Sequence, residues 1–294
     1  MKKSISWFHR FVILAAVVGV FHRAHAVSTT FWAINQFTTI QSLNGDTGAV
    51  LSSIPVPVGS GSAASIAVIG TTGYYTLLGD TRVYKIDMTT GASLGVAFTT
   101  SIAQSMNSIA VTADNHLWFA HGGSGAGNVL QEYDTAGTLL SSHLFPTSAS
   151  SYRDGLVVFN GLVVANRGDQ IGPYDMYSIP AGNGPLAYVA PAPGTPFITA
   201  LGGNNGIAFN GVNFYISNEQ THIVTKYDLN GVFVSQANLP ANSRYENWTF
   251  AAQDLGGVIQ QPNQGNVPDG GSSLGFFGFS LMALAFTGRR RSAS

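Results

Sequence analysis

The chain has no cysteine in its 294 residues. That excludes disulfides, thiolate metal sites, iron–sulfur clusters and cysteine nucleophiles, so the core must hold by packing alone. Charge is scarce too, at 9% of residues. Familiar catalytic signatures are absent: there is no GxSxG, no Walker A sequence and no Asp-x-Asp-x-Asp calcium loop. Basic residues are sparsest in the middle. Lys2, Lys3, Arg10 and Arg23 lie near the start, and Arg289, Arg290 and Arg291 lie near the end. Between residues 27 and 266, six basic residues face 13 acidic ones, a net charge near −7. Phosphate contacts need Lys and Arg, so nucleic acid is not an expected partner.

What is abundant is Gly, Ser, Thr, Asn and β-branched residues, a mixture that suits short strands and tight turns. These residues repeat in step. Asn44-Gly45-Asp46-Thr47-Gly48, Asp87-Met88-Thr89-Thr90-Gly91, Asp134-Thr135-Ala136-Gly137 and Asp228-Leu229-Asn230-Gly231 each separate two strand-like runs. In each, the Asn or Asp can bond nearby backbone and the Gly supplies positive φ, which reads as a hairpin turn. Tyr177 to Gly184 is a weaker fifth copy. The final glycines fall at 48, 91, 137, 184 and 231. A second ladder runs alongside: Ser65-Ile66-Ala67-Val68, Ser108-Ile109-Ala110-Val111, Gly155-Leu156-Val157-Val158 and Gly206-Ile207-Ala208-Phe209. Each of these turns and returns as an aromatic or aliphatic strand. One unit is four strands in about 45 residues, the size of a β-propeller blade. The expected fold is all-β, a propeller of about five four-stranded blades. A sixth blade would need more structure in 241–262. The first unit is one strand short, and Asn247 to Ala252 is placed to supply it from the far end. The pattern resembles the broad superfamily of NHL-like and lyase-like propellers. That resemblance implies binding of sugars, proteins or metals, or in a few members catalysis.

The two ends read as addresses. Lys2, Lys3 and Arg10 precede an apolar stretch from Phe11 to Phe21, and Ala24-His25-Ala26 offers small residues at a cleavage point, with Ala24 and Ala26 as the recognised pair. An N-terminal signal helix at 1–26 is therefore expected. At the other end, Val267, Pro268, Asp269, Gly270 and Gly271 precede an apolar run from Leu274 to Thr287 and then Arg289, Arg290 and Arg291. This order resembles the PEP-CTERM family of sorting signals in a VPDGG-like variant. The resemblance implies an exosortase-like membrane processing enzyme as partner, alongside secretion machinery and signal peptidase. The domain plan is a signal peptide at 1–26, a propeller at 27–253, a linker at 254–266 and a sorting and membrane-anchor segment with a short transmembrane helix at 267–294. The implied location is exported, membrane-anchored through the C-terminal helix, then cell surface or extracellular matrix.

No cofactor and no metal site is expected. His116 and His121 flank one strand and, five apart, face opposite sides of it. His143 and His222 stand alone in sequence. Equivalent polar loops follow the return strands, and propeller symmetry gathers them on one rim: Asp80, Arg82, His121, Arg167, Asp169, Asn218 and Glu219. They form the candidate binding surface, and exopolysaccharide or an envelope protein is the expected ligand of a non-enzymatic surface protein. The alternative is a carbohydrate-active hydrolase or lyase on a propeller scaffold. It requires acidic side chains to converge beside His121 or His143, with Asp154, Asp175 and Glu246 as the carboxylates considered. A third option is a bare scaffold.

Overall fold

The computed structural model describes residues 27–57, 62–101, 106–121, 129–146, 153–168, 171–189, 197–199 and 202–252. All of them fall in the first of the two units into which the chain divides, Met1–Gln261. The first strands are β1 (Thr30–Asn35), β2 (Thr39–Asn44) and β3 (Val50–Pro55). Next come β4 (Ala63–Ile69), β5 (Thr72–Leu77), β6 (Arg82–Asp87) and β7 (Ser93–Thr99). The third set is β8 (Met106–Val111), β9 (Leu117–His121), β10 (Val129–Tyr133) and β11 (Leu139–Leu144). The fourth is β12 (Leu156–Phe159), β13 (Leu162–Gly168), β14 (Ile171–Ser178) and β15 (Ala187–Tyr188). The last is β16 (Asn204–Phe209), β17 (Phe214–Asn218), β18 (Ile223–Tyr227) and β19 (Phe233–Asn238), followed by β20 (Tyr245–Thr249).

These strands form five antiparallel four-stranded sheets, the blades of a propeller. Four blades take their strands in chain order. The fifth has the order β20-β1-β2-β3, so the last strand supplies the innermost position of the first blade. Its register runs from Trp32 opposite Thr249 to Asn35 opposite Tyr245. The expected closure from both ends of the chain is what the structure shows, and the count is five blades.

The turn ladder explains the outer hairpins. Asn44 Oδ1 accepts from the backbone of Asp46 and Thr47, at 2.9 and 3.0 Å. Asp87 Oδ1 does the same for Thr89 and Thr90, at 2.8 and 3.0 Å. Asp134 serves Ala136 and Thr138, and Asp228 serves Asn230 and Val232. Gly48, Gly91, Gly137 and Gly231 all take positive φ, as the turn requires. Gly184 does not; in that blade Gly182 takes the role, and the outer strand β15 has only two residues.

The core lies between blades rather than within them. One cluster joins Ile34 and Ile40 to Ile66, Val68, Tyr75 and Ile86. Another joins Leu130 and Ala120 to Leu156, Val158 and Val163. A third joins Val164 and Met176 to Ile207 and Ile216. Alternating residues of each strand point to the two neighbouring blades, which is why strands such as β9 read as buried throughout.

The flanking helices are corrected. The described residues contain no α-helix, and none of them forms a helix long and apolar enough to cross a membrane. The expected location, export with a C-terminal membrane anchor, loses its support with them. As a helix, a run as long as Leu274 to Thr287 would reach roughly 21 Å, short of a hydrocarbon core of about 30 Å. The signal and sorting residues, Ala24 and Ala26 and 267–291, lie outside the described residues.

Candidate functional site

The topology gives the propeller two unlike ends. One carries the turns from second to third strand in each blade, together with the connections between blades. The other carries the hairpins from first to second strand and from third to fourth.

The rim residues expected from the sequence lie at the first of these ends, and most are engaged with their own chain. Arg82 clamps Asp80, with Nε 3.0 Å from Oδ1 and Nη2 2.7 Å from Oδ2, and the Tyr84 hydroxyl adds a bond at 2.7 Å. The Arg82 hydrogen bonds hold the Asp80 carboxyl well below the usual carboxylate range. Burial, with help from Asp80, pushes the Tyr84 phenol up to about 12. Arg167 makes a paired contact with Asp175 through Nε and Nη2, both at 2.8 Å. That contact holds the Arg167 guanidinium above its ordinary value. Beneath it, Arg153 is buried, donates to the carbonyl of Asn166 and lies 4.0 Å from the Phe145 ring centre. Glu219 pairs with Arg244 at 2.9 Å. Asn218 caps its own turn, accepting from Gln220 and Thr221. His121 is buried at the end of β9. Asp169 lies outside the described residues. The axis between the two ends is tied by Asn247, whose side chain donates to Ser65 Oγ and to the Ile109 carbonyl. Innermost strands of three blades are joined there.

The cavity is at the other end. It has a volume of about 660 Å³, within the range of small-molecule sites. The ends of β8, β12, β16 and β20 form its walls, with Val111, Phe159, Phe209 and Phe250 among them. Trp118 of β9 and Glu132 of β10 close one side, and Asp114 in the turn after β8 stands at its edge. Glu132 faces Trp118 across one strand pair and Ser141 across the next.

Two carboxylates meet here on one imidazole. His116 Nδ1 lies 2.7 Å from Glu132 Oε1 and 3.5 Å from Asp114 Oδ2. The two oxygens are therefore no more than 6.2 Å apart. Thr112 Oγ1 donates to the other Asp114 oxygen, and Ser141 Oγ donates to Glu132 Oε2 at 2.8 Å. The Glu132 side chain keeps 17% of its surface and Asp114 keeps 64%, so one carboxylate is partly enclosed and the other is wet.

Of these residues only His116 was singled out in the sequence, and beside His121 rather than beside a carboxylate. The carboxylates considered there, Asp154, Asp175 and Glu246, do not form this pair; Asp175 is taken by Arg167 and Glu246 by Arg244. Asp114-Asn115-His116 lies in a hairpin turn, with Asn115 at positive φ. The one usable signal was a Glu inside a strand, an unusual residue for a half-buried sheet. Among the described residues no group of three or more His, Asp or Glu is arranged to hold a metal ion.

No known protein family and no curated protein matches the chain in sequence. Solved structures do match in shape. A nidogen/laminin complex aligns over 76% of this chain and 99% of the matched one, with a TM-score of 0.51 and 13% identity. A gluconolactonase of Xanthomonas campestris aligns over 73% and 78%, with a TM-score of 0.47 and 13% identity. A functionally unknown protein from Desulfotomaculum acetoxidans aligns over 72% and 67%, with a TM-score of 0.44 and 16% identity. At such identity the likeness is one of fold alone.

Proposed function

We propose that the protein is a carbohydrate-active hydrolase that takes a sugar unit in the axial cavity. Glu132 serves as the acid and base, and Asp114 is the second carboxylate. The observation that carries this reading is the convergence of two carboxylates on His116 in the wall of an aromatic-lined cavity of about 660 Å³. Glycoside cleavage needs such a pair. A separation of about 5–5.5 Å lets one carboxylate act as nucleophile, and roughly 6.5–9.5 Å leaves room for a water. The cap of 6.2 Å favours the closer, retaining arrangement. Glu132, on the cavity wall, is assigned the acid, and Asp114, at the edge, the nucleophile. Cleavage by elimination has less support. A lyase must neutralise a substrate carboxylate, and no Lys or Arg is among the described residues of the cavity wall. A polysaccharide is the natural source of such a unit and the partner this reading names.

The test is hydrolysis of a panel of neutral oligosaccharides and aryl glycosides by the full chain, read as reducing-end release. Glu132→Gln is expected to lower kcat by about 10²–10⁴ with KM nearly unchanged, the usual contribution of a general acid. Asp114→Asn is expected to do the same. Equal rates for wild type and both variants would end the proposal.

The second reading keeps the opposite end as a binding surface for polysaccharide or protein, through Asp80, Arg82, His121, Arg167, Asp169, Asn218 and Glu219. It is supported by the shared position of the described ones at the end of the second strand, or between it and the start of the third, in four of the five blades. A ligand there has to compete with the ion pairs Arg82–Asp80, Arg167–Asp175 and Arg244–Glu219.

A further inference from the structure

Behind the Trp118 wall of the cavity lies a second histidine. His143 on β11 is buried, its ring nearly parallel to Trp118 at 6.2 Å between centres. Its Nδ1 is 2.9 Å from the carbonyl of Gly184, which reaches across from the β14–β15 turn of the next blade. Its Nε2 is 3.1 Å from Ser141 Oγ, and Ser141 Oγ is 2.8 Å from Glu132 Oε2. The chain Gly184–His143–Ser141–Glu132 is therefore continuous, and it ends on a cavity-lining carboxylate whose other oxygen is bonded to His116.

Counting protons along it leaves two arrangements. A carbonyl only accepts, so Nδ1 of His143 carries a hydrogen. A serine hydroxyl has one hydrogen to give. If Ser141 gives it to an ionised Glu132, then Nε2 must donate to Ser141, and His143 is an imidazolium. If Ser141 gives it to Nε2, then Glu132 must be protonated and donate to Ser141, and His143 is neutral. The two arrangements hold the same number of protons. They differ by one transfer in two concerted steps. The Nε2 proton passes to Ser141 Oγ, while the hydroxyl proton of Ser141 passes to Glu132 Oε2. No electron pair leaves the chain.

We propose that His143, acting through Ser141, is the proton store for Glu132. When Glu132 gives the shared proton to a leaving group, His143 is left neutral and Glu132 ionised; Glu132 then takes a proton from the attacking water, which refills the chain. His143 and Ser141 are positioning residues that act through Glu132. The assignment rests on the hydrolase reading for its purpose, and on the hydrogen-bond chain alone for its existence.

Those two supports are tested separately. In full-length protein with 15N-labelled histidine, the His143 Nε2 resonance reports its protonation at a single pH near 7. The wild type is expected to show a protonated or averaged Nε2. In Glu132→Gln the amide donates to Ser141, Ser141 donates to His143, and Nε2 is expected to move to the neutral, unprotonated position. Ser141→Ala cuts the chain and removes the dependence of His143 on residue 132. An Nε2 resonance that is the same in wild type, Glu132→Gln and Ser141→Ala would overturn the proposal, whatever the activity of the protein. In the glycoside assay, Ser141→Ala and His143→Gln are expected to lower kcat about tenfold or more and leave KM unchanged; a change in KM alone would also overturn it. If no glycoside is cleaved but the resonance shifts as stated, the store stands and the hydrolase reading falls.

Discussion

Gly137 has φ of 90°, and a Cβ added there would collide with Cβ and Cγ of Phe98 on the preceding blade. The same residue thus makes a hairpin and lets two blades close on each other. Gly137→Ala is expected to cost about 2–4 kcal/mol, from left-handed backbone strain together with overpacking. Gly70→Ala has positive φ but open space and should cost only about 1 kcal/mol. Urea denaturation of both variants checks the difference. Asp80 gives a prediction with a sign. Its carboxyl is depressed by Arg82, so the stability it contributes is complete above the ordinary value of 3.8 and is lost as pH falls below it. Arg82 is half exposed, so solvent screening keeps the contribution small. Asp80→Asn should therefore lower the urea midpoint slightly at pH 6 and converge on wild type in strong acid. Residues of the first kind were legible in the sequence, because an Asx–Gly turn is a local object. Glu132 was not, because its partners sit at 116 and 141 and only strand register brings them together.

At the level of elements, β20 has the largest task. It closes the first blade against β1 and also contributes Trp248, stacked on Phe31 at 3.9 Å, and Tyr245, whose hydroxyl donates to Gln41 at 2.7 Å. Without it, β1 would present an open inner edge to the axis. A chain ending at Arg244 is expected to lose cooperative thermal unfolding and to aggregate. A chain ending at Gln261, which keeps the whole first unit, is expected to unfold at the wild-type temperature. Circular dichroism melts of the two truncations test this. The missing strand was recognisable because the first unit came up one strand short of its repeat. The weak blade was also foreshadowed. Pro180 and Pro185 sit in the turn that Gly184 was expected to close, and proline removes the donors that a longer β15 would need.

On the scale of the whole molecule, the two ends of the propeller compete for the functional role. Hydrogen exchange with a bound oligosaccharide separates them. Occupancy of the cavity should protect the turns at 112–116 and 160–161. Occupancy of the opposite rim should protect 78–81 and 219–222 instead. Protection confined to the second set would favour the rim reading. The repeat length and the hairpin chemistry were determined by the sequence itself, because each depends on contacts between residues close along the chain; the sequence left five or six blades open, and the pairing of β20 with β1 sets the count at five. Which end holds the cavity, which carboxylates meet, and that His143 reaches Glu132 through Ser141 were decided only by the tertiary structure. The register of β9, β10 and β11 and the approach of the next blade set those distances, and neither leaves a local trace in the order of residues.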